Sequence, residues 1–341
     1  MALISVIIPV YNMEKYLQDC LESVAAQSLA DIEIICVNDG STDGSRGLIE
    51  AWQARDSRIL LLNQENLGSA AARNRGIKTA CGKYIAFMDP DDRYPDENVL
   101  KALYTAAEEN NVRVCGGGLD MYFKERRQRD FKGSGGFRFE KEGLLSYRDY
   151  QFDHGYTRFL YNREFLLAEG LFFPNYRRYM DAPFFVRTML AAEKFYALPR
   201  TVYCYRTGHE KEFVFTPDKV NDFVRGLREV LLLAAENGLD KLFALEAARL
   251  DSSLVPIIST GISCDNPELL KLLLTIDDII RKKTGAASAI SKELINPINA
   301  ALARKRARQR CGMIFDLLLH HPAEFAKHAA GRLLPVINKK H

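Results

Sequence analysis

The chain has 341 residues, which is enough for one large domain or two of ordinary size. Hydrophobic residues make up 47% of the sequence and charged residues 27%, a composition that excludes an intrinsically disordered chain. The formal net charge of +3 gives no indication of a nucleic-acid-binding protein. No stretch approaches the roughly 18 uninterrupted apolar residues that a membrane-spanning helix needs.

Seven cysteines are scattered along the chain without any Cys-x-x-Cys pair. An odd number of dispersed thiols is typical of a reducing compartment and argues against a structural zinc site. The first five residues lead directly into an apolar strand and lack the basic and long apolar regions of a signal peptide. These features predict a cytoplasmic protein.

Short apolar runs alternate with helical patterns in the first ninety residues. Apolar, β-branched runs predict strands at residues 4–10, 32–38, 59–62 and 83–88. The spacing of apolar residues between them predicts helices at residues 15–27, 45–55 and within 66–80. Strands that are apolar on both faces and alternate with helices predict an α/β fold with a mainly parallel sheet.

The pattern becomes less regular after residue 100 and changes to helices alone near residue 216. A strand is predicted at residues 112–115, where three glycines end it, and another at 202–206. We therefore predict a first domain at residues 1–216 and a helical C-terminal region at 217–341, which would contact an acceptor, a membrane or a second subunit. Residues 304–310 are strongly basic and lie next to apolar stretches, a combination that suits an anionic membrane surface. The alternative is a solvated helix face.

Three carboxylates, Asp89, Asp91 and Asp92, follow the fourth predicted strand within four positions. Like charges so close together repel one another, and that cost is usually offset by a bound cation or by hydrogen-bond donors. Mn²⁺ and Mg²⁺ both suit carboxylate and phosphate oxygens. The sequence therefore predicts a metal or nucleotide site here, with an ordinary acidic turn as the alternative.

Polar residues also follow the first two predicted strands. Tyr11 and Asn12 come after the first strand, and Asp39 comes after the second. In open parallel sheets ligands bind beyond the carboxyl ends of the strands, so these residues can line one crevice. The carboxylate of Asp39 could accept the imide N–H of uracil, a donor that cytosine lacks. Its alternative role is to cap an Asp-Gly turn.

Neither a GxGxxG nor a GxxxxGK[ST] signature follows the first strand, which disfavours a dinucleotide-dependent dehydrogenase and a P-loop ATPase. Four other motifs occur in order, at residues 5–12, 37–43, 66–74 and 89–92, and they read SVIIPVYN, VNDGSTD, NLG with ARN, and DPDD. Taken together they resemble the inverting family 2 glycosyltransferases, whose GT-A fold is Rossmann-like, with a mixed, mainly parallel sheet and flanking helices.

The resemblance implies metal-dependent transfer of a sugar from a UDP-sugar donor to a hydroxyl of a glycan or lipid-linked acceptor, in bacterial surface polysaccharide synthesis. It also implies roles for the motif residues. Pro9, Tyr11, Asp39 and Arg73 match positions around the base and ribose, and Asp91 and Asp92 match the acids that touch ribose and metal. Asn12 and Asp89, which follow the same strand ends, are further candidate nucleotide contacts, and His209 could reach the diphosphate or the metal.

The catalytic base in this family is commonly the Asp of a Glu-Asp pair at the start of a helix. Asp181 stands in that place, although Met180 replaces the Glu. The alternative is that Asp181 only caps the helix. Arg206 could bind phosphate oxygens or form an ordinary ion pair, and His209 could be an incidental loop residue.

Two other functions remain open, an inactive nucleotide-binding module and a sugar-phosphate nucleotidyltransferase, although no basic, glycine-rich loop supports the latter.

Overall fold

A computed structural model describes residues 2–123, 126–128, 137–208, 216–251 and 266–285. The predicted metal contact His209 and the basic residues 304–310 lie outside this described part of the chain. None of the helices it describes is long and apolar enough to cross a membrane. The five cysteines within it are free thiols.

The elements follow one another in the order that the sequence predicts for the first half, with additional strands in the second. The strands are β1 (Ile4–Val10), β2 (Ile32–Asp39), β3 (Ile59–Gln64), β4 (Tyr84–Phe87), β5 (Val114–Phe123), β6 (Arg126–Gln128), β7 (Gly143–Ser146), β8 (Phe159–Asn162) and β9 (Lys194–Thr207). The helices are α1 (Glu14–Ala25), α2 (Ser45–Gln53), α3 (Ser69–Thr79), α4 (Val99–Glu109), α5 (Tyr147–Tyr150), α6 (Arg163–Ala168), α7 (Asp181–Ala192), α8 (Pro217–Glu236), α9 (Asp240–Asp251) and α10 (Pro267–Thr284).

One mixed sheet organises the described residues. Its strand order is β3-β2-β1-β4-β8-β5-β9-β7, and β6 pairs with β5 off this path. The half formed by β3, β2, β1 and β4 is parallel throughout, and β5 also runs parallel to β9. The β4–β8, β5–β8, β5–β6 and β7–β9 pairs are antiparallel. The predicted α/β fold with a mixed sheet and flanking helices is confirmed.

Pro9 lies near the end of β1, at a position where a backbone N–H would have no hydrogen-bond partner in the neighbouring strand. The carbonyl of Ile7 accepts a hydrogen bond from the N–H of Met88 at 3.0 Å. Because the backbone polar groups of alternate residues in a strand point to the same side, those of Ile7 and Pro9 both point toward β4. The pairing of β1 with β4 ends at Ile7 and Phe87, two residues before Pro9. Proline is therefore tolerated in a central strand at this position.

The sheet has an apolar core on each face. Helices α1, α2 and α4 cover one face, while α3, α6 and α7 cover the other. Buried residues of α8, α9 and α10 belong to the same core as α7, because Val224 and Leu227 pack into the cluster that contains Phe184 and Phe185. The hydrophobic core therefore continues across residue 216, where the sequence predicts the domain boundary.

Strand β5 differs from its prediction because it continues through the three glycines at residues 116–118. A Cβ atom on Gly116 would lie 2.1 Å from the ring of Phe159, and one on Gly117 would lie 2.5 Å from Val202. The register with β9 also shifts between Gly116 and Gly118. Glycine is thus needed for close approach of neighbouring strands rather than for a turn.

Candidate functional site

The polar residues predicted as a site lie at the carboxyl ends of neighbouring strands. Because β1 runs parallel to both β2 and β4, the segments that follow these three strands leave the sheet at one edge. Asp39 is the last residue of β2, and the acidic segment begins two residues after β4 ends at Phe87. Strand β9 also reaches this edge, since its residue Cys204 pairs with Arg93.

Asp92 is the buried member of the acidic segment. Its side chain is 1% exposed, and both of its oxygens accept hydrogen bonds, Oδ2 from the hydroxyl of Tyr203 at 2.7 Å and Oδ1 from the N–H of Arg206 at 2.7 Å. Burial, followed by the charges of Asp91 and Asp89, raises the pKa of Asp92 well above its usual range. These two hydrogen bonds tie Asp92 to β9 and occupy two of the about four acceptor positions of its carboxylate, and its contact with a metal ion stays a prediction.

Asp91 is half-buried and occupies the turn between Asp89 and Asp92, in which the N–H of Asp92 donates to the carbonyl of Asp89 at 3.0 Å. Its backbone carbonyl accepts a hydrogen bond from Nε of Arg206 at 2.8 Å. The guanidinium of Arg206 also forms an ion pair with Asp19 at 2.8 Å. Arg206 therefore holds the backbone of the acidic turn, which agrees with the ion-pair alternative for this residue.

Asp89 is held on one side only. Its Oδ1 accepts hydrogen bonds from Nη2 of Arg73 at 2.6 Å and from the hydroxyl of Tyr156 at 3.3 Å. Among the described residues, no donor reaches its Oδ2, and the side chain is 25% exposed. One oxygen is thus fixed by the protein, while the other can accept a hydrogen bond from a ligand, as the predicted contact with a ribose hydroxyl requires.

Arg73 is a buried cation that organises this part of the site. It is 6% exposed, and its guanidinium lies over the rings of Tyr156 and Phe173, 5.3 Å and 5.4 Å from their centroids. Burial alone would lower its pKa, but Tyr156, Asp89 and Asp181 raise the pKa above its usual range. The residue is therefore permanently charged, and its effect on Asp89 is electrostatic as well as geometric.

Asp39 is 3% exposed and anchors the loop that leads into α3. Its Oδ1 accepts from Nε2 of Gln64 at 2.7 Å and from the N–H of Leu67 at 2.9 Å, and its Oδ2 accepts from the N–H of Gly68 at 2.9 Å. A carboxylate has about four acceptor positions, so one on Oδ2 remains for a nucleobase. Asp39 therefore caps backbone N–H groups of the segment after β3 rather than those of an Asp-Gly turn.

Asn12 joins the loops after β1 and β2. It adopts a left-handed backbone with φ of +54°, its N–H donates to Oγ of Ser41 at 3.1 Å, and its Oδ1 accepts from the N–H of Thr42 at 2.8 Å. Asparagine is one of the few residues that tolerate this conformation. The preceding Tyr11 is 44% exposed, so its ring is accessible at the edge where the strands end.

Asp181 is the first residue of α7 and is half-buried. Phe184, in the first turn of the same helix, stacks on the ring of Phe173 with 3.9 Å between the centroids, and Arg73 lies over that ring, so the start of α7 lies near the pair formed by Arg73 and Asp89. The charge of Asp181 contributes to the raised pKa of Arg73 and to that of Tyr156. Burial lowers the pKa of the neighbouring Arg178 to about 10, an effect that Asp181 and Tyr205 oppose. The N-cap position belongs to Met180, whose side chain makes no capping hydrogen bond, so the helix-cap alternative for Asp181 has no capping contact to support it.

The described residues contain no group of three or more His, Cys, Asp or Glu side chains that could hold a metal ion. Asp91 and Asp92 lie together in the acidic turn, and Asp92 is also hydrogen-bonded to β9. A divalent ion that takes one or two protein carboxylates and receives its other ligands from a diphosphate and water is compatible with such a site. The donor set therefore fits Mn²⁺ or Mg²⁺ bound together with a nucleotide.

Two tyrosines of the site have no assigned role in the sequence analysis. Tyr156 binds Asp89, while the hydroxyl of Tyr203 donates to Asp92 and accepts from the N–H of Asp89 at 3.1 Å. Both side chains are almost fully buried. The signal that could have indicated them is the acidic cluster itself, because clustered carboxylates need nearby donors, but the sequence does not reveal which distant tyrosines supply them.

The motif region matches a known family. A profile described as "Glycosyl transferase family 2" matches residues 5–167. The uncharacterized glycosyltransferase EpsJ of Bacillus subtilis is 35% identical over 210 residues, which are 60% of this chain and 61% of EpsJ. The minor teichoic acid biosynthesis protein GgaA of the same organism is 31% identical over 218 residues, or 61% of this chain and 48% of GgaA. The chain thus spans about half to three fifths of these relatives.

The fold is also similar to that of a protein of known structure. The structure of S. aureus TarS 1-349 in complex with UDP-GlcNAc superposes with a TM-score of 0.66, covering 83% of this chain and 82% of that one. The two sequences are 21% identical in this comparison, so the similarity establishes the shared fold.

Proposed function

We propose that the chain, whose residues 5–167 match the profile of glycosyl transferase family 2, is a metal-dependent, inverting glycosyltransferase that transfers a sugar from a UDP-sugar to a hydroxyl of a glycan or lipid-linked glycan. The observation that carries the proposal is the packing of α7, which begins at Asp181: its Phe184 stacks on Phe173, whose ring also contacts Arg73, the ion-pair partner of Asp89. A candidate base and a candidate ribose ligand thereby share one site at the carboxyl edge of the sheet.

Asp181 would act as the general base. Its carboxylate accepts the proton of the acceptor hydroxyl, whose oxygen then forms a bond to the anomeric carbon of the donor sugar. The bond between that carbon and the β-phosphate oxygen breaks, and its electron pair leaves with the nucleoside diphosphate. Attack from the face opposite the leaving group inverts the configuration, so no protein nucleophile is required.

The remaining site residues would bind and orient the nucleotide. Asp89 would accept a ribose hydroxyl through Oδ2, Asp39 would accept the imide N–H of uracil, and Tyr11 would lie against the base. Asp91 would hold Mn²⁺ or Mg²⁺, which when bound supplies Lewis-acid stabilisation of the departing diphosphate. Support for a UDP donor also comes from the UDP-GlcNAc complex of the structurally similar TarS.

The acceptor that we propose is a hydroxyl of a bacterial surface polysaccharide. This is supported by the relative GgaA, which is described as a minor teichoic acid biosynthesis protein. The enzyme would then work in the cytoplasm, peripherally at the inner face of the cell membrane, and as a homo-oligomer if the C-terminal region makes subunit contacts. Deletion of residues 304–341 tests the membrane contact, since liposome binding that survives the deletion rejects it.

Calorimetric titration with UDP, CDP and GDP, each with and without Mn²⁺, tests the assignment of the nucleotide site. We expect binding that depends on Mn²⁺ and is selective for UDP. Asp91→Asn should remove the dependence on Mn²⁺. Asp31→Asn is the matched control, because Asp31 is an exposed acid directly before β2, at the opposite end of that strand from Asp39.

The outcomes separate the parts of the proposal. Binding of CDP or GDP in preference to UDP would reject the role of Asp39, and binding that ignores Mn²⁺ would reject the role of Asp91. Failure to bind any nucleotide, together with failure to transfer sugar from a panel of UDP-sugars, would favour an inactive module.

A further inference from the structure

The segment that precedes α7, residues 176–179, is fixed by the helical region rather than by the sheet. Tyr179, at its end, has a left-handed backbone with φ of +59°, an uncommon conformation for a bulky residue that must be held by its surroundings. Asp181 lies two residues further on, and two residues span at most about 7 Å of chain. The placement of Tyr179 therefore limits where Asp181 can lie.

The side chain of Tyr179 joins a buried network with α9. Its hydroxyl lies 2.8 Å from Oε2 of Glu246 and 3.2 Å from Oδ2 of Asp153, and it accepts a hydrogen bond from Nη1 of Arg249 at 2.7 Å. Arg249 also forms ion pairs with both carboxylates, whose side chains are 0% exposed. Two buried carboxylates and one arginine thus converge on a single phenol.

Helix α8 holds the same segment from a second direction. The N–H of Arg177 donates to Oδ2 of Asp222 at 3.0 Å, and the hydroxyl of Tyr176 lies 3.2 Å from Oε2 of Glu229. The ring of Phe223 lies 4.8 Å from that of Tyr179. A Cβ atom on Gly226 would lie 2.6 Å from the carbonyl oxygen of Tyr179, so α8 approaches this backbone as closely as glycine allows.

We propose that α8 and α9 position the catalytic carboxylate, and that Tyr179 and Gly226 are positioning residues for Asp181. This inference rests on the proposed function, in which Asp181 is the base. Neither residue would touch the nucleotide, because their contacts are with α8, α9 and Asp153. Loosening this support should move the first turn of α7 relative to Arg73 and Asp89, while the donor-binding loops after β1, β2 and β4 keep their contacts.

Two substitutions test the proposal from opposite sides of the segment. Tyr179→Phe removes only the hydroxyl and retains the ring, while Gly226→Ala presses on the carbonyl of Tyr179. The matched control is Asn266→Ala, which removes the side-chain cap of α10 and its hydrogen bond to Asn221 of α8 at 2.7 Å but no hydrogen bond to residues 176–179. It perturbs the helical region without touching the segment.

We expect both test variants to lower kcat per folded enzyme by about tenfold or more, since small misplacements of a reacting group are costly. The Kd for UDP should stay within about twofold of the wild-type value, because the contacts that would bind the nucleotide are unaffected by either substitution. Hydrogen exchange in a peptide spanning residues 180–190 should become faster in both variants. Asn266→Ala should change neither kcat nor this exchange.

A kcat within about twofold of wild type in both folded variants, with unchanged exchange in residues 180–190, would overturn the proposal. An equal loss of kcat in Asn266→Ala would also overturn it, because general destabilisation would then explain the effect. If the wild-type protein transfers no sugar, the proposed function fails separately. The exchange measurement still decides whether α8 and α9 control the start of α7.

Discussion

Asp181 carries the most specific prediction at the residue scale. A general base must be ionised and must reach the proton that it removes, and an amide of the same size cannot accept that proton. Asp181→Asn should therefore lower kcat for sugar transfer on the order of 10²- to 10⁴-fold. The affinity for UDP should be nearly unchanged, because the proposed contact of Asp181 is with the acceptor rather than with the nucleotide. Steady-state transfer assays and calorimetric titration measure the two quantities.

The control for this variant is Asp218→Asn. Asp218 is an exposed acid in the first turn of α8, so its loss reproduces any effect on a helix dipole without touching the site. Transfer by the control should match that of the wild-type protein. If Asp181→Asn instead weakened UDP binding and kept a normal rate at saturating donor, Asp181 would be a nucleotide ligand and the base would lie elsewhere.

The acidic segment shows what a sequence conveys about single residues. The cluster Asp89, Asp91 and Asp92 indicates that charge compensation is needed at a strand end, and the structure supplies protein donors to Asp89 and Asp92 there. The sequence does not reveal which carboxylate is compensated by protein and which is left for a ligand. That division depends on Tyr203 and Arg206, more than 110 positions away in the chain, whose bonds to Asp92 form only when β9 lies beside the turn.

At the element scale, the glycines of β5 give a test of close packing. Gly116→Ala should lower the free energy of unfolding by about 1 to 3 kcal/mol, because its Cβ would overlap the buried ring of Phe159. Gly47→Ala is the matched control in α2, where a Cβ meets no atom within 4 Å. It should raise stability by about 0.5 to 1 kcal/mol, since alanine favours a helix. Urea unfolding of both variants measures these changes, and equal effects would contradict the packing argument.

The network between α9 and residue 153 predicts a dependence of stability on pH. Burial, and then the charge of Asp153, raises the pKa of Glu246 well above its usual range. The stability that this shift contributes is fully present below the ordinary glutamate pKa of about 4.3 and is lost as the pH rises through the raised pKa. Glu246→Gln cannot ionise, so it should lose this dependence.

The melting temperature of Glu246→Gln, relative to wild type, should therefore increase between about pH 5 and pH 8. For one proton, the free energy of unfolding changes by at most about 1.4 kcal/mol per pH unit. Tyr84→Phe serves as a comparison, because the hydroxyl of Tyr84 donates a hydrogen bond to Glu108, a carboxylate whose pKa is lowered rather than raised. A difference between Glu246→Gln and wild type that stays constant with pH would contradict the raised pKa.

Elements of the parallel half follow from local patterns, whereas those of the second half do not. Strand β1 is observed at the predicted residues 4–10, because an apolar, β-branched run buried on both faces has few other structures available. Strands β7 and β8 are short antiparallel strands of four residues each, without a distinctive pattern of their own. Their position depends on pairing with β9, β4 and β5, which is a tertiary effect.

For the molecule as a whole, the described residues after 216 form only helices, and this change from mixed elements is readable from apolar spacing. The observed α8 begins at Pro217, next to the predicted change. Whether such helices form a separate domain cannot be read from their own pattern, because an amphipathic face has the same spacing whatever covers it. Here the face of α8 packs against α7, and the resulting core includes Phe184, Phe185, Val224 and Leu227.

This shared core predicts that residues 1–216 do not fold independently. Truncation there would expose Phe184 and Phe185, which are at most 1% exposed, and would remove the supports of residues 176–179. We expect the fragment to show no cooperative thermal transition by near-ultraviolet circular dichroism, while the full chain unfolds in one transition at the same concentration. A fragment that unfolds cooperatively within a few degrees of the full chain would show that α8 to α10 form a separate domain, and the proposed support of Asp181 would then have to act between two domains.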